Sequence, residues 1–393
     1  MQQREKATLG QSNSTASQSH FPWFPRPRRT ADNAVVRKCI AANPIRACDH
    51  RMQGCLKMPA MNIQAKEIRL VSRPQGEPTG DNFALATVEL PELQAGEVLV
   101  RNAFFSIDPY MRGRMNEGKS YIMPFAVGKA LDGAAVGQVV QSRDAAFRPS
   151  TWVLSFCGWR DYYIAHASQL RKIDATVAPP SAYLGVLGAT GLTAWVGLND
   201  IAKIKEREIV FISAAGGAVG SVACQLAKLQ GCQVIASAGS AAKVSFLKKQ
   251  LHVDYAFNYR EQDPLRQLET AAPDGLHVYF DNTAGPQLEA ALASMRNHGR
   301  MVMCGAIAGY NSPSPGPKNL HQIIIRRLRM QGLLVADHLH RMPAFLAEMI
   351  PLLRAGKVLH QETVIDGIEK APGAFISLLE PGDLHIGKLV IHV

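Results

Sequence analysis

One stretch limits the fold of this chain more than any other: FISAAGGAVGSVACQLAKLQGCQVIASAGSAAKVSF, residues 211–246. An apolar strand runs into a glycine-rich turn, an amphipathic helix and a second apolar strand. This is half of a dinucleotide-binding unit. In such a turn the first small residue permits the bend and the second lets backbone approach a pyrophosphate. The third lets the helix pack on the strand, so that the helix N-terminus faces the anion. Here Ala215 takes the first place, and Gly217 and Gly220 the other two, with Ala218 and Val219 between them. A glycine-rich string alone is weak evidence, but this one follows a strand and opens a helix, and a second strand comes next.

The second strand ends in Ser237-Ala238-Gly239-Ser240. An Asp or Glu in this region would bond the 2′-hydroxyl of NAD. No carboxylate stands here to repel a 2′-phosphate. Lys243 follows within one helical turn, and Tyr259 and Arg260 end the next strand. The missing acid and the nearby lysine point to NADPH rather than NADH.

The flanking patterns differ on the two sides. From Lys66 to about Tyr183, the runs EVLVRNAFFSI, DGAAVGQVVQS, TWVLSFCG and RDYYIAH are short and rich in β-branched and aromatic residues, with Gly, Pro and Asp between them. They predict a β-barrel-like domain. From about Gly185 to Gly356, strands such as LHVYFDNT and GRMVMCGAI alternate with helical segments, among them one near Pro264–Thr270. This alternation predicts a parallel, doubly wound sheet. The tail GKLVIHV reads as one more strand, returning to the first domain.

The formal charge of +11 raises the question of nucleic acid or an anionic surface as partner. Its distribution argues against both. Residues 1–60 hold ten Lys/Arg and three acids, so most of the excess sits in this head and the remainder is mildly basic. The head is proline-broken, polar and without periodicity. It reads either as a disordered extension, with Met58 or Met61 as a natural start, or as an organelle transit peptide. The seven cysteines are odd in number and show no C-x-x-C spacing, which fits a reducing compartment. Cys39, Cys48, His50 and Cys55 cluster, but with the spacing of no standard zinc finger. No apolar run reaches the length of a membrane span. The expected location is cytoplasmic, or an organelle if the head is a transit peptide.

Five segments carry a family resemblance: SIDPYMRGRM (106–115), LGVLGATGLTAWVGL (184–198), AAGGAVGSVACQLAKLQGCQV (214–234), FDNTAG (280–285) and CGAIAGYN (304–311). Together and in this order, they resemble the zinc-independent, NADPH-dependent alkenal/one oxidoreductases of the medium-chain dehydrogenase/reductase superfamily. That group includes the prostaglandin reductases (leukotriene B4 12-hydroxydehydrogenases) and the bacterial curcumin reductases; LVSRPQGEP, PSAYLGVLG and RLRMQG resemble the latter most. The resemblance covers residues 63–393. It implies a GroES-like catalytic domain over 61–184, completed by 361–393, and an inserted Rossmann domain over 185–360. It also implies a homodimer, a cleft between the domains, and reduction of the carbon–carbon double bond of α,β-unsaturated ketones and aldehydes.

By the same resemblance, Gly217, Ala218, Val219 and Gly220 match the pyrophosphate loop, and Lys243 and Tyr259 the 2′-phosphate pair. Asn282 matches the Asn after the fourth Rossmann strand, and Cys304, Gly305, Ala306 and Ile307 the strand end beside the nicotinamide. Tyr310 matches the tyrosine that reaches the nicotinamide ribose and the substrate carbonyl; Tyr121 matches a cleft tyrosine of the curcumin reductases. The places of the zinc ligands in zinc-dependent relatives hold FFSIDPYMRG without Cys or His, then Gly128-Lys129-Ala130, then Gly188-Ala189-Thr190-Gly191. Two positions depart from the family: Pro149-Ser150-Thr151 replaces a Gly-Asp turn, and His385 stands where an Asn precedes Gly-Lys.

Without zinc, hydride goes to the activated β-carbon and leaves an enolate, whose oxygen needs donors. Tyr310 is the first candidate, and Tyr121 the second, as carbonyl donor or proton source; water is an alternative proton source. Asp108 reads as a turn-to-helix start, and Tyr110, Met111 and Arg112 as cleft lining. Two other functions stay open: an NADPH-dependent quinone reductase, and a non-catalytic NADPH-binding sensor.

Overall fold

Two sheets organise the chain in the computed structural model, which describes residues 63–312, 315–380, 382 and 385–393. The basic head, its Cys39/Cys48/His50/Cys55 cluster and the candidate starts Met58 and Met61 lie outside the described residues. The N-terminal part supplies a ribbon, β1 (Gln64–Leu70) against β2 (Phe83–Glu89), and the strands β3 (Glu97–Ser106), β4 (Ala135–Ser142), β5 (Trp152–Ser155), β6 (Tyr162–His166) and β7 (Arg171–Lys172). The short helix α1 (Met111–Arg114) follows β3, and α2 (Ala189–Val196) leads into the second sheet.

That second sheet contains β8 (Ile209–Ile212), β9 (Gln233–Ala238), β10 (Tyr255–Asn258), β11 (Leu276–Asp281), β12 (Met295–Met303) and β13 (Arg329–Gly332). All its pairings are parallel, in the order β10-β9-β8-β11-β12-β13. The first strand in sequence lies in the middle, so the order reverses between β8 and β11. In a doubly wound sheet the ligand crevice opens at this switch point, beyond the strand ends. The crossover helices are α3 (Ala218–Leu229), α4 (Ala241–Lys249), α5 (Pro264–Ala271), α6 (Gly285–Ser294) and the short α7 (His321–Ile325). Val210, Ile212 and Phe280 pack with α3 on one face, while Phe211, Tyr279 and Met301 pack with α5 and α6 on the other. Alternate residues therefore serve opposite layers, as the two-residue period of a strand requires.

After α8 (Met342–Arg354) the chain returns to the first sheet as β14 (Glu362–Asp366), α9 (Ala371–Leu379) and β15 (Lys388–His392). β15 pairs antiparallel with β3, matching Val390 to Ser106, so the tail does rejoin the first sheet as its sequence predicts. The full order is β14-β15-β3-β4-β5-β7, with β6 also on β3. β3 is buried along most of its length because it is paired through both edges.

Two contacts join the returning tail to the rest. The Gly387 N–H bonds the Gly216 carbonyl at 2.8 Å, which sets the tail against the glycine-rich turn. Gly387 has φ +75, and any side chain there would overlap the Gln361 carbonyl, so only glycine fits. The next residue, Lys388, is buried and donates through Nζ to the Ile107 carbonyl (2.6 Å), Asp108 Oδ1 (3.0 Å) and the Leu389 carbonyl (3.0 Å). Asp108 also accepts from the Ser106 hydroxyl. Its side chain therefore holds β15 to the end of β3 rather than capping α1, which has no side-chain cap.

At the Pro149-Ser150-Thr151 turn, Ser150 has φ 66. A non-glycine residue in this left-handed region carries a strain of about 1 kcal/mol. The substitution Ser150→Gly is expected to raise stability by about 1 kcal/mol and the thermal midpoint by about 1–2 °C. Thermal unfolding followed by circular dichroism checks this; an unchanged or lower midpoint would show that the turn is not strained.

Candidate active site

The crevice begins at the turn between β8 and α3. Ala214 turns the chain at φ 45, and Ala215 is fully buried with its N–H on the Ser237 carbonyl at 2.9 Å. A Cβ at Gly220 would lie 2.5 Å from the Ala214 carbonyl oxygen and 2.6 Å from Ala215 Cα. The third small residue thus does what its place predicts: it lets α3 lie directly on the strand end. The helix has twelve residues, and its N-cap, Gly217, provides no side-chain cap. Gly217, Ala218 and Val219 remain half-buried, so the first turn of α3 is not sealed into the core, and an anion is the partner that its free N–H groups favour.

Beside this turn lies the second predicted cluster. Ser240 caps α4, accepting from the Lys243 N–H. The buried Lys243 side chain runs over Gly216, with Cγ 3.0 Å from where a Cβ would stand. The Tyr259 hydroxyl stands over Gly239, 3.2 Å from the equivalent point. The Arg260 guanidinium lies against Gly382, near the Gly239 carbonyl. Gly239, Ser240, Lys243, Tyr259 and Arg260 are therefore gathered at one end of β9, with no acid among them. A dianionic phosphate suits this group better than a bare ribose hydroxyl.

Across the switch point, β11 and β12 supply the other wall. The Asn282 side chain donates to the Ser213 carbonyl at 2.7 Å, tying the end of β11 to the end of β8. The Cys304 and Gly305 N–H groups bond the Asp281 carbonyl at 2.8 and 3.1 Å, which fixes the segment leading to Ala306 and Ile307. Ala284, beginning α6, has φ 57 and ψ −148, a conformation almost confined to glycine. Backbone strain is thus stored at the crevice.

Tyr310 follows the turn Ile307–Gly309 and packs against the core of the first sheet, as does Tyr110. Burial pushes its hydroxyl above the usual tyrosine range; the Ala306 amide opposes this and Cys304 adds to it. Tyr121 is 59% exposed, and its surroundings push its phenol up to about 12. Crowding by protein is the main cause, and Tyr310, Asp108 and Cys304 lie close enough to add to it, while Arg114 opposes. The structure therefore brings Tyr121 and Tyr310, distant in sequence, to one place.

The loop carrying Tyr121 is pinned at its ends. Arg73 donates to the Met115 carbonyl (2.8 Å) and the Phe125 carbonyl (3.1 Å). Arg114 pairs with Asp132, donates to the Met123 carbonyl (2.9 Å) and stacks on Phe125. Arg112 is not cleft lining: it is buried and committed to Asn116 Oδ1 (2.7 Å) and the Gly76 carbonyl (2.6 Å). Met111 is fully buried as well. Asp281 was not singled out from sequence, although an acid ending the apolar run LHVYFD was a visible signal. Among the described residues no group of three or more His, Cys, Asp and Glu could hold a metal ion.

Burial, with Asp281 adding, pushes the Cys304 thiol up to about 12. The raised value keeps the thiol neutral at pH 8. Alkylation mapped by mass spectrometry should find Cys304 unmodified at pH 8 in the folded protein, with labelling rising about tenfold per pH unit above that. Rapid labelling at pH 8 would contradict the placement.

The sequence matches two family profiles, described as the N-terminal domain of oxidoreductase over residues 66–173 and as zinc-binding dehydrogenase over 218–351. It is 40% identical to the 2-alkenal reductase (NADP(+)-dependent) of Nicotiana tabacum, covering 85% of this chain and 99% of the relative. It is 37% identical to the NADPH-dependent curcumin reductase of Escherichia coli K12, covering 82% and 95%. The crystal structure of CurA from Vibrio vulnificus in complex with NADPH superposes with a TM-score of 0.79 at 38% identity, covering 84% and 99%. These identities do not separate the alkenal-reductase branch from the curcumin-reductase branch. The chain belongs to the NADPH-dependent alkenal/one oxidoreductase group of the medium-chain dehydrogenase/reductase superfamily.

Proposed function

We propose that this protein uses NADPH to reduce the carbon–carbon double bond of α,β-unsaturated ketones and aldehydes, without zinc. The observation that carries this reading is the cluster of Lys243, Tyr259 and Arg260 beside the uncapped α3 turn, with no acid among the described residues gathered there. The α3 N–H groups of Ala218, Val219 and Gly220 would hold the pyrophosphate, and Lys243 and Tyr259 the 2′-phosphate. Asn282, Cys304, Gly305, Ala306 and Ile307 would line the nicotinamide end. When bound, the cofactor supplies the hydride. The chain's own part is to orient the enone, exclude water and meet the charge that develops on the carbonyl oxygen. Tyr310 donates to that oxygen; Tyr121 is a second donor or the proton source for the α-carbon. The zinc-free reading rests on the residues themselves: Ser106–Asp108, Lys129-Ala130 and Gly188-Ala189 offer no Cys or His where zinc-dependent relatives place their ligands.

A homodimer is part of this proposal. β13 is an edge strand of the six-stranded sheet, with Arg329, Gln331 and Gly332 exposed. Ile324 (79% exposed), Ile325 and Leu320 lie just before it. An unpaired edge beside exposed apolar side chains is a surface suited to a second copy. Location in the cytoplasm is also proposed. It is supported by four free cysteines among the described residues.

A panel of enones, quinones and aldehydes, assayed with NADPH and NADH, tests the function. Enone loss with NADPH is the expected result. Reduction of quinones alone would favour a quinone reductase, and no consumption with any acceptor would favour a sensor. Lys243→Ala should raise KM for NADPH about tenfold while leaving that for NADH nearly unchanged. Equal effects would remove the lysine from the 2′-phosphate site. Tyr310→Phe should lower kcat about 10²-fold with the fold intact. Because both phenols are raised, the donors stay protonated at neutral and moderately alkaline pH. The wild-type kcat should therefore show no loss from tyrosine ionisation between pH 7 and 9, and a fall near pH 8 would exclude them.

A further inference from the structure

Asp281 ends β11 with no exposed surface. Its Oδ1 accepts from the Thr283 and Ala284 N–H groups and the Tyr279 hydroxyl, each at 2.8 Å. The Ser213 hydroxyl (3.2 Å) and Thr283 hydroxyl (3.3 Å) donate to the same oxygen. Oδ2 has no partner among the described residues. A buried oxygen without a donor is costly. Burial pushes the pKa of this carboxyl up, while the Ala284 and Thr283 amides, Tyr279 and Ser213 pull it back down.

The distribution of bonds shows what the second oxygen is for. Every donor to this side chain among the described residues converges on Oδ1, where the carbonyl oxygen of an asparagine would accept the same bonds less strongly. What aspartate adds over asparagine at this position is charge, while asparagine would add two N–H donors at the place of Oδ2. That charge lies behind the proposed nicotinamide wall. The Asp281 main chain holds the Cys304 and Gly305 amides, and the field of its carboxylate reaches the Cys304 thiol.

We propose that Asp281 is a fixed buried negative charge that favours the oxidised, cationic nicotinamide over the reduced, neutral one. The proposal rests on the cofactor placement given above. In the reaction, a C–H bond of the neutral dihydropyridine breaks with its electron pair, and the pair forms a C–H bond at the substrate β-carbon. The ring is left as a pyridinium cation, the substrate as an enolate that then takes a proton. A nearby anion lowers the energy of the cationic product more than that of the neutral reactant, and so promotes hydride release. Asp281 acts at a distance and is not a catalytic residue in the sense of touching the reacting atoms.

The test is equilibrium binding at pH 8. Cofactor fluorescence gives the Kd of NADPH, and competition gives that of NADP+, for the full chain, Asp281→Asn and Tyr279→Phe. Asp281→Asn should weaken NADP+ relative to NADPH by about threefold or more. Tyr279→Phe leaves the carboxylate with one donor fewer, so its less neutralised charge should shift the ratio in the opposite direction. An unchanged ratio in Asp281→Asn, with both cofactors bound, overturns the proposal and leaves the cofactor site standing. If that variant does not fold, Tyr279→Phe decides, and a ratio unchanged or shifted against NADP+ overturns the proposal. Failure of the wild type to bind either cofactor would overturn both the proposal and the cofactor site beneath it.

Discussion

The site depends on one close approach. With hydrogen alone at Cα of position 220, α3 lies against the Ala214 carbonyl and the Ala215 backbone. The first-turn amides are thereby aimed along the strand ends instead of into the core. Everything else in the crevice is arranged around that dipole. The tail bonds the turn from one side through Gly387, the Lys243 stem covers it from another, and Asn282 ties β8 to β11 beneath it. A methyl group at position 220 would separate helix and strand and disperse these contacts together.

The second organising theme is that polar groups join segments distant in sequence. Lys388 reaches Ile107 and Asp108 from the far end of the chain, and Gly387 bonds Gly216. The tail is thereby fixed both to the end of β3 and to the cofactor turn. Tyr310 leaves the doubly wound sheet and packs on the core of the other. The crevice is built where the two sheets are bound together, so displacement of one relative to the other would change the spacing of Tyr121 and Tyr310 directly. Buried charges serve this arrangement. Asp281 and Lys388 are costly to bury, and Lys388 is fully bonded, whereas Asp281 keeps one oxygen unmet.

The doubly wound sheet was legible in the alternation of apolar runs and amphipathic segments from Gly185 to Gly356, and the return of the tail in GKLVIHV. These patterns depend on local periodicity, which sequence carries openly. β14 and α9 were not read, because a short half-exposed strand such as ETVID has no strong alternation. At the site, the glycine-rich turn and the acid-free end of β9 were legible because each has a fixed offset from a strand. Tyr121 and Tyr310 were each named through the family resemblance, since no local pattern relates two residues 189 positions apart. Arg112 was misplaced because a charge beside a cleft motif looks functional until its partners, Asn116 and Gly76, are seen. The identity of Asp281 was visible, but its significance depends on which oxygen is bonded, and that is a property of three dimensions only.

The most direct measurement is the fate of the transferred hydrogen. The protein is given NADPH carrying deuterium at nicotinamide C4 and a simple enone, and the product is analysed by NMR. The account predicts a saturated ketone with deuterium at the β-carbon and a solvent-derived proton at the α-carbon. Deuterium on the carbonyl carbon, giving an allylic alcohol, would contradict it, because the tyrosine donors would then be serving a carbonyl reduction.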